Sequence, residues 1–132
     1  MKKILSLITF FLLLTVVVNA QNIVADSTYQ VDSPPEFKDG LKGYSRFMER
    51  MLDRDLPKRR GATEGVYTVI VRFTVNIDGT ISDITIDNDP GYDTAGEVKR
   101  VIKMSNKMWT PAKLNGEPIA YRTYRRISFM VF

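Results

Sequence analysis

The sequence predicts an α+β domain, and three patterns along the chain lead to that prediction. Apolar residues recur at helical spacing between positions 41 and 52 and again from 98 onwards, which predicts two helices. Between positions 67 and 77 every second residue is apolar, and the residues between them are polar except Ile70, which predicts a strand with one face on a core. Alternation returns between positions 127 and 131 and predicts a last strand. The predicted order is therefore helix, hairpin, helix and strand.

The first helix is predicted from a single apolar stripe. The stripe consists of Leu41, Tyr44, Phe47, Met48, Met51 and Leu52. Because Gly43 weakens a first turn, we expect the helix to begin nearer Tyr44. Pro57 is expected to end it.

The hairpin is predicted around Asp78-Gly79, because glycine accepts the positive φ of a tight reversal. Its first strand carries six apolar residues on one parity: Tyr67, Val69, Val71, Phe73, Val75 and Ile77. The returning strand, 80–87, places Ile81 on one parity and Ile84 and Ile86 on the other. We expect a bulge near Ser82-Asp83 to reconcile them.

The second helix and the last strand follow the hairpin. The helix is predicted from four apolar positions: Val98, Val101, Ile102 and Met108. Trp109-Thr110-Pro111 is expected to close it, and Asn115-Gly116 forms a turn before the last strand, 119–132.

Composition excludes several kinds of active site in these 132 residues. The chain has no Cys and no His, which removes thiol nucleophiles, Cys/His zinc sites, disulfides and imidazole acid–base catalysis. Asp87–Asp93 has carboxylates at alternating positions, but Tyr92 and Val98 stand where an EF-hand needs Gly and Glu. We therefore predict no metal, no cofactor and no catalytic residue. A hydrolase that uses Asp83 and Asp87, which share one parity of a strand, is the enzymatic alternative.

Residues 1–20 are predicted to be a signal peptide. Two lysines precede an apolar run, 4–18, and Val18-Asn19-Ala20 offers the small residues that a signal peptidase needs. Cleavage near Ala20 would leave a soluble, exported chain with a flexible lead-in, 21–35, and one domain, 36–132. An uncleaved inner-membrane anchor is the alternative, although a full span needs about 20 apolar residues. Export argues against a nucleic-acid partner despite the formal net charge of +4.

The last strand is predicted to lie at a sheet edge, where unpaired N–H and C=O groups can accept another strand. Ile127, Phe129 and Val131 share the core parity. The opposite parity carries Arg122, Tyr124, Arg126, Ser128, Met130 and Phe132. The alternative is a strand that only completes the sheet and keeps its basic residues on a solvated face.

From Phe37 to Phe132 the chain resembles the C-terminal domain of TonB, in the stand-alone form common in Bacteroidetes. Leu56-Pro57 stands where the family usually has Tyr-Pro after the first helix, and Gly65 leads into the strand. The other segments that carry the resemblance are Val71–Ile81, Val101–Ala112, Asn115–Ile119 and Arg125–Phe132.

The resemblance implies a two-layer fold, with an antiparallel three-stranded sheet covered by two helices. It also implies a periplasmic, non-enzymatic protein-binding module linked to TonB-dependent transmembrane transport. Its partner would be the TonB box, an N-terminal segment of outer-membrane transporters, which adds to the domain as a strand. A homodimer through the same edge is the alternative.

The resemblance also implies which residues contact the peptide. The implied pairing edge is Arg122, Thr123, Tyr124, Arg125, Arg126, Ile127, Ser128, Phe129 and Met130. The implied flanking loop is Leu56, Pro57, Lys58, Arg59 and Arg60. Only 15 residues separate the predicted cleavage site from Glu36, too few to cross a periplasm, which argues against energy transduction by an anchored chain.

Overall fold

A computed structural model of the chain describes residues 24–132, in which helices pack on one face of a β-sheet. The predicted signal peptide, 1–20, lies outside the described residues. In chain order the elements are β1 (Val24–Ala25), β2 (Glu36–Phe37), α1 (Gly40–Met51), α2 (Leu56–Arg59), β3 (Gly65–Val75), β4 (Ile81–Asn88), α3 (Thr94–Met104), β5 (Trp109–Thr110), β6 (Ala112–Leu114) and β7 (Glu117–Val131).

The long strand β3 forms the centre of the sheet. It pairs antiparallel with β4 on one side and with β7 on the other. β1 adds to β7 in parallel at residues 120 and 121, and β6 pairs with β7 at residues 117–119. β2 and β5 form a separate two-stranded ladder.

The α+β class and the packing of helices on a sheet are confirmed, whereas the predicted count of three strands is wrong. The sheet has five strands, because β1 and β6 join the three long ones. These additional strands are two and three residues long. Segments of that length are too short for the alternating pattern from which strands are recognised in a sequence.

The core fills the space between the sheet and the helices. Alternate residues of β3 contribute Val69, Val71, Phe73 and Val75, and each is 0% exposed. α3 contributes Val98, Val101 and Ile102, and α1 contributes Phe47 and Met48. Full burial of an apolar side chain of this size contributes about 1.5–3 kcal/mol, so these residues supply most of the force that holds the helices on the sheet.

The hairpin between β3 and β4 turns at Asp78-Gly79 as predicted. The Asn76 N–H donates to the Thr80 carbonyl at 2.9 Å, and Gly79 has a φ of +79°. The predicted bulge is also confirmed: Arg72 pairs with Thr85 but Thr74 pairs with Ser82, which leaves an additional residue on β4. Asp83 within that bulge has a φ of +51°.

Two predictions about α1 are wrong. The helix begins at Gly40 rather than near Tyr44, and Gly43 is buried inside its first turns. A Cβ at Gly43 would lie 2.0 Å from the Lys38 carbonyl oxygen, so glycine permits a close approach that the sequence pattern does not reveal. Pro57 does not end α1, because α1 already ends at Met51.

The residues predicted to close the two helices begin new elements instead. Pro57 lies in the first turn of α2, where its missing N–H would have no helical partner in any case. α3 ends at Met104, and Trp109 and Thr110 form β5. The Trp109 ring packs edge-on against Phe37 and Phe73, at centroid distances of 5.3 and 5.4 Å.

Candidate functional site

One side of β7 lacks a partner strand over most of its length. At Tyr121 the strand is flanked by Val75 of β3 on one side and by Ala25 of β1 on the other. From Arg122 to Val131 the β3 side stays paired, but within residues 24–132 no strand pairs with the opposite side. Backbone N–H and C=O groups on that side are therefore available to another strand. We call residues 122–130 on this side the open edge.

β1 stops at Ala25 because the chain turns away at Asp26. The Asp26 carboxylate accepts a hydrogen bond from the Thr28 N–H at 2.8 Å, and the Asp26 carbonyl accepts one from the Tyr29 N–H at 2.9 Å. Farther along, Pro34 and Pro35 lie beside the open edge, and proline has no N–H to donate to a ladder. The chain's own N-terminal segment thus covers the start of β7 and leaves the remainder open.

Residues 24–35 are the described part of the predicted lead-in, and they contact the sheet. Ala25 is 0% exposed, and the Asp32 N–H donates to the Lys113 carbonyl at 2.8 Å. Ser33 forms an isolated antiparallel bridge with Lys113. The flexibility of this segment stays a prediction, but its path beside β7 shapes one end of the open edge.

On the outer face of the sheet, the arginines of β7 have different environments. Arg122 donates to the Asp83 carbonyl and to Thr85 Oγ1, both at 2.7 Å, so it is tied across the sheet to β4. Arg126 is exposed and forms no ion pair within residues 24–132. The basic outer face expected from the sequence is therefore partly occupied by cross-strand contacts.

Arg125 lies on the opposite face, towards the helices. Its guanidinium carbon lies 5.1 Å from the centroid of the Trp109 ring and 5.7 Å from that of Tyr44. Burial lowers the pKa of Arg125, because the site disfavours the charged form. Burial likewise raises the pKa of the Tyr44 hydroxyl, and the charge of Arg125 acts in the opposite direction. This half-buried cation, packed against two neighbouring rings, is a feature that the edge prediction alone did not reveal.

Two depressions lie between α1 and the open edge. The first, of about 420 Å³, is lined by Leu41, Tyr44 and Arg125, together with the two prolines at positions 34 and 35. The second, of about 250 Å³, is lined by Tyr44, Ser45 and Ile127 among others. Because strand side chains alternate between faces, a strand added at the open edge would direct every second side chain towards these depressions. The sequence pattern places Tyr44 in the apolar stripe of α1 and does not show that it lines both depressions, which together form a groove between α1 and the open edge.

The predicted flanking loop, 56–60, forms α2 and its C-cap, and α2 lies against β7. Arg59 donates to Asp53 Oδ1 at 3.1 Å, and this hydrogen bond lowers the pKa of Asp53. Arg60 pairs with Asp93 at 2.9 Å. Two of the loop's three cations are thus engaged in exposed ion pairs, which contribute little to stability.

The two carboxylates of the enzymatic alternative have different environments. Asp87 binds Arg72, with its Oδ2 2.9 Å from Nε and 2.8 Å from Nη2. Asp83 lies exposed in the bulge of β4. Across residues 24–132 no group of three or more His, Cys, Asp or Glu side chains could hold a metal ion. The same part of the chain contains no helix long and apolar enough to cross a membrane.

Comparisons with known proteins identify the family. A family model for the C-terminal domain of the Gram-negative bacterial TonB protein matches residues 58–131, more than half of the chain. A search of curated proteins finds no match, and a search of solved structures finds none either. The chain therefore belongs to the TonB C-terminal family, whose domains are periplasmic, non-catalytic interaction domains associated with TonB-dependent transport.

Proposed function

We propose that this protein binds an extended peptide, such as the TonB box of an outer-membrane transporter, by strand addition to the open edge of β7. The family interacts with outer-membrane TonB-dependent receptors in general. Strand addition takes its affinity from main-chain hydrogen bonds and its specificity from pockets for alternate side chains. A protein that works in this way needs no nucleophile and no metal.

The observation that carries the proposal is the unpaired side of β7. Nine consecutive residues, 122–130, pair with β3 on one side and with no strand among residues 24–132 on the other. This side of β7 can accept a strand, because β1 already pairs with it at residues 120 and 121. The groove between this edge and α1 leaves room for the side chains that point inwards.

Alternate N-methylation of the peptide tests whether the contact is a β-ladder. A bound strand directs the N–H groups of every second residue towards its neighbour. Two versions of one transporter N-terminal peptide, methylated at odd or at even positions, are titrated by fluorescence anisotropy. We expect one version to lose binding and the other to keep it.

The unmethylated peptide and a scrambled peptide of the same composition are the controls. Equal affinity of both methylated versions would contradict strand addition, because then neither set of N–H groups would bond to β7. Loss of binding by both would contradict it as well, since one set faces away from the strand.

A homodimer through the same edge is the second candidate, and an exposed apolar patch favours it. Met130 of β7 is 60% exposed and its cross-strand partner Val66 is 63% exposed. Two copies of β7 could pair edge to edge, which would place Met130 of each copy beside the partner's strand. Sedimentation over a concentration series distinguishes the candidates: a dimer whose dissociation accompanies peptide binding supports competition for the edge, whereas a monomer at all concentrations rejects the dimer.

We also propose that the chain reaches the periplasm with its signal cleaved after Ala20. The support is the sequence pattern of the first twenty residues together with the family's location. Mass measurement of the protein isolated from cells tests this proposal. A chain that begins at Gln21 is expected, and one that still contains residues 1–20 would favour the anchored alternative.

A further inference from the structure

Arg125 is a cation in an apolar position. Its Cα pairs with that of Val71, which is 0% exposed, so its side chain leaves the sheet on the core face. There its guanidinium contacts the faces of two rings, at 5.1 Å from Trp109 and 5.7 Å from Tyr44. Contact of this kind holds a cation in a defined position and compensates part of its desolvation.

The charge of Arg125 has no carboxylate partner within residues 24–132. Its Nη1 donates to Thr123 Oγ1 at 3.0 Å and to the Tyr124 carbonyl at 2.8 Å. Arginine has five N–H donors, and in the described chain Nε and Nη2 of this residue bond to no acceptor. A half-buried guanidinium with two free nitrogens is a receptor for a planar anion.

A second polar group at the same place is also unsatisfied. The Tyr44 hydroxyl is buried and has no hydrogen-bond partner among the described residues. Buried polar groups are nearly always bonded, so an orphaned hydroxyl beside an unpaired cation requires an explanation. The hydroxyl oxygen is closed to solvent in this structure, so an entering acceptor would reach it only after the Tyr44 side chain moved.

The first of the two depressions lies beside these groups and is large enough to admit a side chain of a peptide. It measures about 420 Å³, and its apolar walls are Pro34, Pro35 and Leu41, of which Leu41 is 81% exposed. Glu36 also lines it but forms no ion pair with Arg125. Arg125 lines the adjoining depression along the open edge too, so the cavity opens onto the place where a strand would add.

We propose that this cavity, the Arg125 pocket, binds an Asp or Glu side chain of the added strand and thereby determines which peptides are accepted. The inference rests on the proposed function, because the acidic residue must be presented by a strand on the open edge. The carboxylate would accept from Nε and Nη2 of Arg125. Since strand side chains alternate, only peptide positions of one parity can reach the pocket.

A substitution scan of a transporter N-terminal peptide tests the pocket. Each residue is replaced in turn by Glu and by its uncharged isostere Gln, and affinities are measured by fluorescence anisotropy. We expect one position at which Glu binds at least about tenfold more tightly than Gln, as for other hydrogen bonds to charged groups. Protein variants then show which residue causes the preference for Glu.

Arg125→Met keeps the apolar bulk of the side chain and removes its charge, and it is expected to abolish the Glu preference. Arg46→Met is the control, since it removes an exposed charge of α1 outside the open edge, and it is expected to keep the preference. Glu36→Gln is expected to keep or increase the preference. A Glu preference that persists in Arg125→Met would overturn the proposal.

The wild-type protein provides a second readout if Arg125→Met fails to fold. The Arg125 Nε–H resonance is expected to move with the Glu peptide and to stay in place with the Gln peptide. Equal shifts with both peptides would overturn the pocket. Peptides that bind with no Glu preference at any position would overturn the pocket alone, whereas no binding by any peptide would overturn the proposed function as well.

Discussion

Replacement of Glu97 tests how α3 is linked to the chain that connects α1 and α2. Glu97 Oε1 accepts the Asp53 N–H at 2.8 Å, where the chain leaves α1. Its carboxylate also binds Arg100, with Oε2 2.9 Å from Nε and Oε1 2.6 Å from Nη2. Arg100 Nη2 in turn donates to the Met51 carbonyl at 2.8 Å. One carboxylate thus links α3 to the end of α1 and to Asp53, in the connection between α1 and α2.

The cost of Glu97→Ala follows from these contacts. A part-buried hydrogen bond to a charged acceptor contributes about 1.5 kcal/mol, and the half-exposed ion pair with Arg100 adds about 0.5 kcal/mol. We expect a loss of about 2 kcal/mol in the free energy of unfolding, measured by urea titration at pH 7. Glu49→Ala, on the exposed side of α1, is the control and should change stability by less than about 0.5 kcal/mol. A loss for Glu97→Ala no larger than that of the control would refute the link.

The pH dependence gives an independent check on the same residue. The hydrogen bond from Arg100 is the main cause that lowers the pKa of Glu97 below its ordinary value of 4.5. A carboxyl group with a lowered pKa in the folded state contributes stability that is present above its unfolded pKa and is lost as pH falls through the folded value. The difference between wild type and Glu97→Ala should therefore be full above pH 4.5 and should shrink below it. A difference that stays constant down to pH 2.5 would show that the charge of Glu97 does not contribute.

Two pairs of glycine variants test close approaches of the backbone, each by urea titration. Gly79 and Gly116 have φ values of +79° and +78°, but only at Gly79 would a Cβ meet the Trp109 carbonyl, at 2.5 Å. Both Gly→Ala changes should lower the free energy of unfolding by about 1 kcal/mol because of the positive φ, and Gly79→Ala should lower it further because of the clash. Equal losses at the two positions would argue against the clash at Gly79. In the helices, Gly43→Ala should destabilise because its Cβ would meet a carbonyl at 2.0 Å, whereas Gly96→Ala has open space and should stabilise by about 0.5–1 kcal/mol. A Gly43→Ala variant as stable as wild type would contradict the tight packing of that turn.

The long elements of the fold could be predicted because periodic burial leaves a pattern in the sequence. β3 and the core parity of β7 follow the alternation of apolar residues, and the bulge at Asp83 followed from a break in that alternation. Gly43 could not be interpreted in this way, since its role depends on a carbonyl outside the helix. The short strands β1 and β6 depend on tertiary contacts and have no periodic pattern of their own.

The candidate site was predictable only in part, for a related reason. A terminal alternating strand indicates an edge, and the structure places residues 122–130 on one. Arg125 shares the parity of Ile127 and Phe129, but a charge on that parity does not reveal what surrounds it. Its position over Trp109 and Tyr44 depends on how α1 and β5 pack against the sheet, which no local pattern encodes.

Backbone amide hydrogen exchange along β7 tests the central claim most directly. In the free protein, amides of residues 122–130 that bond to β3 should be protected, and the alternate amides, which face the open edge, should exchange rapidly. Saturation with a transporter N-terminal peptide should protect these alternate amides while the others remain as they were. A peptide that binds while the alternate amides still exchange rapidly would contradict strand addition at this edge.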